Sequence, residues 1–363
     1  MAEQPPQGVI PQRPLPIHPL VDETGSIVYQ VPMDLLLEHW KRLSTSQREA
    51  TARRLALSLP SGFVFDSIQS FSPAASDVAY FTYEERVFAL IPGGEFTLGF
   101  DAERHWNPTQ DELESWQATA KEYGFSESIH EHIIATTLRP RRVGLAPFLI
   151  ETAARELGWH SVSADDPEIQ SQIKKYKNTK KLTLCRGGGT TRIEKKDDGS
   201  VIVEQSLTRT HAELAEQLRG SGFRFPTSDE WEFACGCGEP TLFRWGDHAP
   251  CDRYPLDFGP KRVRPTGTLE ASKEGFAPDW DRHVNPNGFG LSIASNPYFF
   301  ELVAETGTTR GGDGGCTLCG GYGFFVGWLT LATAYFEEHS CKHDPAEPIS
   351  PGYTVGRRVL ELR

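Results

Sequence analysis

Between residues 33 and 59 the apolar positions fall at helical spacing. Leu35, Leu36, Trp40 and Leu43 form one face of a predicted helix. Ser46 with Glu49 reads as a capping box that starts a second helix, which Pro60 and Gly62 end. Residues 33–80 are therefore expected to form a helical hairpin packed on the core, with partner docking as its second use. From about Tyr80 the period shortens to two. Val87, Ala89 and Ile91 alternate toward Pro92-Gly93-Gly94, and a strand resumes from Phe96 to Gly99. Thr109 and Glu112 then form a capping box for a helix whose face carries Trp116, Ala120 and Tyr123, stopped by Gly124. Val143 to Ile150 is strand-like again. Helices and strands so mixed predict an α+β fold.

The rest of the chain divides around this frame. Residues 1–32 are Pro-rich and aperiodic, an extended arm. Residues 165–205 form an excursion with a basic cluster, Lys174, Lys175, Lys177, Lys180 and Lys181. Such a cluster is a solvated face or an anionic-partner site. Gly187 to Gly189 mark a turn, because neither Gly-Lys-Ser/Thr nor a helical pattern follows to make a phosphate loop. Asp197-Asp198-Gly199 between two strand-like runs predicts a hairpin. Short helices are expected at His211–Leu218 and Thr227–Cys235. The expected division is an arm at 1–32, the hairpin at 33–80 and one domain at 81–363, with inserts at about 101–138 and 165–205.

Charge and composition narrow the function. The formal net charge of -12 disfavours nucleic-acid binding driven by overall charge. No apolar run reaches the 18 residues a membrane span needs, and the N-terminus lacks a signal-peptide pattern. A cytoplasmic protein is expected, and its seven cysteines are expected to be reduced thiols.

Those cysteines are the main candidate chemistry. Cys316 and Cys319 form a C-x2-C, Cys235 and Cys237 a C-x-C, and Cys341 precedes His343 in a C-x-H. Convergence of the first two pairs would make a four-cysteine structural zinc site; otherwise they are free thiols or a redox pair. His339 and His343 stand four apart beside Glu337 and Glu338, a metal pair or solvated loop histidines. His130 and His132 lie two apart in a predicted helix and face different ways. No Gly-x-Ser-x-Gly occurs, and no Ser-His-Asp set stands out.

Six segments, in order, resemble the motifs of one family. They are Ile91-Pro92-Gly93-Gly94-Glu95-Phe96-Thr97-Leu98-Gly99, Arg142 to Ile150, and Arg224-Phe225-Pro226-Thr227-Ser228-Asp229-Glu230-Trp231-Glu232-Phe233-Ala234 followed by Phe243 to Asp247. Asn287-Gly288-Phe289-Gly290-Leu291 with Glu301, then Gly320-Gly321, then Gly356-Arg357-Arg358-Val359 complete the series. Together they resemble the formylglycine-generating-enzyme (sulfatase-modifying-factor) family over residues 85–363. Within the central block, Thr227 suits an N-cap with Glu230 at the box position, Trp231 and Phe233 suit the core, and Arg224 calls for a carboxylate partner.

The resemblance implies a C-type-lectin-like fold with little regular structure. It also implies a copper(I) site of two cysteines after a Gly-Gly-Ser motif. Here Tyr322 stands in place of the Ser, and Phe325 and Thr330 occupy the cysteine positions, so copper is not expected there. Relatives that make sulfoxides use iron held by His-x3-His-x-Glu, whereas residues 1–80 contain only His18 and His39. Structural calcium in the family implies Asn296 and Glu301 as oxygen ligands. The resulting expectation is a binding domain without cysteine-oxidase activity. Its rewritten site would present Tyr322, Phe325 and Trp328 to a peptide, protein or small-molecule ligand. The alternative is a copper- or iron-dependent oxidase of thiol or peptide substrates that uses Cys316, Cys319 or nearby histidines. The arm and the lysine cluster also suit a subunit of a larger assembly.

Overall fold

The computed structural model describes residues 19–21, 27–29, 33–71, 77–186, 189–257, 261–263, 269–271, 282–314 and 323–362. Strands β1 (Pro19–Val21) and β2 (Ile27–Tyr29) pair as a small antiparallel ribbon. After a single 3-10 turn come α1 (Leu37–Trp40) and α2 (Thr45–Ala56). The capping box of α2 is Ser44 with Gln47, two residues before the expected pair. Of the expected apolar face, Leu35 and Trp40 are buried against the main sheet and Leu43 is partly buried there, whereas Leu36 is outside that cluster; Leu55 of α2 joins them.

The expected hairpin at 33–80 is too long. Its helices end by Ala56, and β3 (Val64–Gln69) and β4 (Val78–Tyr83) already belong to that sheet. Val78 to Phe81 are all buried, because α2 covers one face of the sheet and the domain core the other. A strand covered on both faces loses its alternation, which is why period two was not visible there. The sheet continues through β5 (Arg86–Ile91). It closes with β8 (Phe148–Glu151) and β19 (Val359–Glu361), all antiparallel, in the order β19-β8-β5-β4-β3.

A ribbon of β6 (Gly94–Leu98) and β7 (Arg141–Leu145) brackets the first insert. That insert is helical: α3 (Ala102–His105), α4 (Gln110–Tyr123) and α5 (Ile129–Thr136). The expected Thr109–Glu112 box caps α4, and Gly124 ends it with a left-handed φ of 73°. The single strand expected at Val143–Ile150 is two strands, interrupted at Ala146-Pro147, where proline supplies no N–H to a ladder.

The second excursion is a small unit of its own. It holds β10 (Trp159–Ser161), α6 (Pro167–Lys175), β11 (Lys181–Arg186), β12 (Gly189–Lys195) and β13 (Val201–Ser206). Ile169, Ile193 and Val203 make its core. The turn at Asp197-Asp198-Gly199 joins β12 to β13 as expected, with Gly199 at φ 86°. Lys180 and Lys181 pair with Asp197 and Glu194 of the same unit. Part of the basic cluster is thereby neutralised locally.

Next come α7 (His211–Gly220) and α8 (Ser228–Gly236). Thr227 and Glu230 cap α8 reciprocally, and Trp231 and Phe233 are buried. Arg224 forks onto Glu230, with both Nη–Oε distances 2.6 Å, and reaches Glu361 at 2.8 Å. A further ribbon joins β14 (Lys261–Val263) to β15 (Leu269–Ala271). The last sheet, in the order β17-β16-β18-β9, combines β9 (Arg155–Glu156), β16 (Phe300–Leu302), β17 (Thr309–Arg310) and β18 (Thr354–Gly356); β16 and β18 run parallel. Between them in the chain lies α9 (Phe324–Leu329). The architecture is mixed α and β with several antiparallel sheets, compatible with the α+β class. Among the described residues no helix is long and apolar enough to cross a membrane.

One buried carboxylate joins these parts. Glu232 of α8 accepts from the Gly99 N–H at 2.5 Å, from Arg141 Nη2 at 2.8 Å and from Arg310 Nη2 at 3.2 Å. Burial works against the Arg141 charge, but Glu232 and Asp229 beside it hold the guanidinium pKa above its ordinary value. Removing one member of a buried ion set typically costs about 3–5 kcal/mol, since a desolvated charge is left behind. Glu232→Gln should therefore lower unfolding stability by about that much in urea titration. Glu49→Gln, in the exposed pair with Arg53, should change it by less than about 1 kcal/mol. Equal effects would show that Glu232 is not a hub.

Candidate functional site

Phe325 and Thr330, the positions that the family resemblance implies for the two cysteines, lie on and just after α9. Tyr322 lies outside the described residues. The first insert is packed directly over this segment. Gly323 N–H donates to Thr119 Oγ1 at 2.9 Å, and Phe325 N–H to Ser115 Oγ at 3.1 Å. Both acceptors sit on α4, on the buried face with Trp116. The Phe325 ring stacks on Trp106 at 5.7 Å between centroids. Trp328 Nε1–H donates to the Arg253 carbonyl at 2.8 Å, and its ring meets Trp245 and His283 edge-on. The Thr330 hydroxyl donates to the Gly327 carbonyl.

This corrects the expectation that Phe325 and Trp328 line a binding surface. Both are core residues, 0% and 1% exposed. The run Phe324 to Leu329 is apolar nearly all round, and a helix of that kind is buried on all sides. The residues do not fit copper(I) either. A phenyl ring and a hydroxyl already bonded to the backbone offer that soft ion no thiolate.

Cys316 and Cys319 lie outside the described residues. Cys235 ends α8, and Cys237 caps it with φ 57°. Burial pushes both thiols up to about 12, whereas zinc takes thiolates. Cys341 is likewise buried, its thiol pushed up to about 11. Among the described residues no three His, Cys, Asp or Glu side chains converge as a metal site.

The pair proposed for calcium does share one small cavity of about 150 Å³. Its oxygens, however, are engaged. Glu301 is held two-pronged by Arg357, through Nε–Oε1 and through Nη2–Oε2 at 3.0 Å. Asn296 Oδ1 accepts from the Tyr298 N–H at 2.9 Å. A buried guanidinium already supplies the positive charge that calcium would bring, so the pair does not fit the ion.

Strand alternation points to a different site. Glu301 and Arg310 are cross-strand partners in β16 and β17, as are Leu302 and Thr309. Glu301 and Arg310 line the small inner cavity, whereas Phe300, Leu302 and Thr309 line a cleft of about 510 Å³. That volume is in the range of small-molecule sites, which combine apolar walls with a few polar groups. The cleft is completed by His211 at the start of α7 and by the segment from His343 to Thr354.

His211 is 3% exposed and fixed by its backbone partner. Its Nδ1 accepts the Gly307 N–H at 3.0 Å, so in the neutral ring the proton sits on Nε2. Nε2 has no hydrogen-bond partner among the described residues. Burial lowers the pKa of His211, outweighing the Val303 backbone, which favours the charged ring, and His343 nearby adds to the lowering. Burial also lowers that of His343. Asp313 enters the cleft from a left-handed turn, φ 57°, after Gly311 and Gly312.

The sequence marked His343 only as a metal candidate and missed His211, Phe300 and Thr309. Their meeting depends on β16 pairing with β17 and on α7 docking beside Gly307, contacts that leave no local pattern. Compared with models of known protein families, the sequence matches none, and no curated protein matches it.

The histidine state has a measurable consequence. A folded-state pKa below 6.5 means the unfolded chain binds the proton more readily. The stability contributed by neutral His211 is complete above about pH 6.5 and is lost as pH falls from there through the lowered folded value. Urea unfolding from pH 8 to pH 5 should show this decline. His211→Asn, which keeps an acceptor for Gly307, should flatten it; an unchanged slope would remove His211 as its source.

Proposed function

We propose that the chain is a divergent formylglycine-generating-enzyme-like protein without cysteine-oxidase activity, and that it works as a binding domain through the cleft beside His211. The family part of this reading rests on the six ordered motifs. The observation that carries the loss of oxidase activity is the burial of Phe325 and Thr330 beneath the first insert. A substrate cysteine would need an open groove and two thiolates there. Instead, Ser115 and Thr119 bond the backbone of that segment, and Trp106 covers Phe325. The binding role is supported by the cleft's size, its apolar walls and the buried histidine beside them.

The direct test supplies purified protein with copper(I), dioxygen and a cysteine-containing peptide. No oxygen uptake above the copper-only control is expected, and no conversion of the peptide thiol to an aldehyde by mass spectrometry. Catalytic aldehyde formation would overturn the reading, whichever residues held the metal.

A further inference from the structure

We propose that the small inner cavity lined by Trp231, Arg310 and Arg357 binds a small carboxylate of the size of formate or acetate. This goes beyond the reading of the cleft, because the cavity lies on the opposite face of β16 and β17 and is tested separately.

Two buried donors carry the proposal. Arg310 and Trp231 both line this cavity of about 150 Å³, and they are 0% and 2% exposed. Arg310 directs Nη2 to Glu232 and to the Thr333 carbonyl, whereas its Nε–H has no acceptor among the described residues. Trp231 Nε1–H has none among them either. The Arg310 guanidinium carbon lies 5.1 Å from the Trp231 ring centroid, so one small molecule can reach both groups. A buried N–H without an acceptor is destabilising, and two of them on one cavity wall select a ligand rich in lone pairs.

Charge selects among such ligands. The charged side chains lining the cavity are Arg310, Arg357 and Glu301. Glu301 is held two-pronged by Arg357. Glu232, the partner of Arg310, lies outside the lining and is divided between Arg310 and Arg141, which also pairs with Asp229. The lining is therefore net positive, and a monovalent anion complements it. Water fits the same wall less well. It brings two O–H donors that need acceptors, and the Glu301 oxygens, Asn296 Oδ1 and the Ser292 carbonyl are already engaged. A carboxylate brings acceptors only, and its two oxygens can take the Arg310 Nε–H and the Trp231 Nε1–H together.

The cavity also sets the size of the ligand. Its volume is that of about five waters at roughly 30 Å³ each, room for a carboxylate with a short tail. Ala153 and Ser292, exposed and joined by a backbone bridge, form its outer edge.

The test titrates the full chain with acetate and acetamide, two molecules of one shape, by ligand-observed NMR at low salt. Acetate should bind saturably at one site, at least about tenfold tighter than acetamide. Trp231→Phe, which keeps a ring and removes the N–H, should weaken acetate by about tenfold or more, the worth of one hydrogen bond to a charged group. Trp245→Phe, whose indole N–H bonds the His248 carbonyl instead, should not weaken it. Ala154→Leu, which fills a half-buried lining position, should block acetate with the fold intact by circular dichroism. This second variant decides the matter where Trp231→Phe does not fold. Equal binding of acetate and acetamide would overturn the proposal, as would no acetate binding by the unchanged chain. So would acetate binding that survives Ala154→Leu or a folded Trp231→Phe. None of these results bears on the cleft beside His211.

Discussion

The fold is organised around a carboxylate that cannot reach water. Glu232 receives a backbone N–H from the end of β6, a guanidinium from β7 and another from β17. These groups come from segments far apart in the chain, and each has been desolvated to meet. Such a cluster is a poor source of net stability, because the attraction largely repays the loss of hydration. Its effect is on arrangement. A slip of one residue in β17 would turn Arg310 out of the core and leave Glu232 short of a partner. Buried ions of this kind penalise wrong registers more than they reward the right one. Glu301 and Arg357 repeat the device one strand over, with the guanidinium also donating to the carbonyls of Glu151 and Ser292.

Local chemistry was legible in the sequence, and assembly was not. The boxes at Thr109–Glu112 and Thr227–Glu230 are short-range motifs whose partners lie three residues apart, so they could be read directly. The need of Arg224 for a carboxylate could also be read, because an arginine flanked by Phe223 and Phe225 is costly unless paired. Ser44 outcompeted Ser46 because two overlapping matches to one pattern differ only in where the preceding turn ends. The strand at Val78–Phe81 was hidden by double burial. The bond from Arg141 to Glu232 spans 91 positions and has no sequence signature.

The aromatic stretch at α9 shows a different limit. Phe325 and Trp328 are expected at a surface because a family resemblance implies a site there. Aromatic residues serve cores and binding surfaces equally well, and composition does not separate the two. What separates them is the covering element. Here α4 supplies two small hydroxyl side chains, Ser115 and Thr119, that approach the backbone of α9 closely enough to bond it. A bulkier residue at either position would hold the insert away. Phe325 and Thr330 in α9 and just after it, and the small residues on α4, are thus parts of one packing solution.

The same strands that close one cavity open the other. Along β16, Glu301 turns inward to Arg357 while Phe300 and Leu302 turn toward the cleft. Along β17, Arg310 turns inward to Glu232 while Thr309 turns toward the cleft. This inverts the usual pattern of apolar residues inside and charged residues outside. The inner face can tolerate charge because every ion there has an opposite partner, and the outer face is left apolar. That apolar strand face forms one wall of the cleft. The buried ion pairs fix the strand positions that make that wall, so the placement of the cleft wall follows from charges that lie outside the cleft.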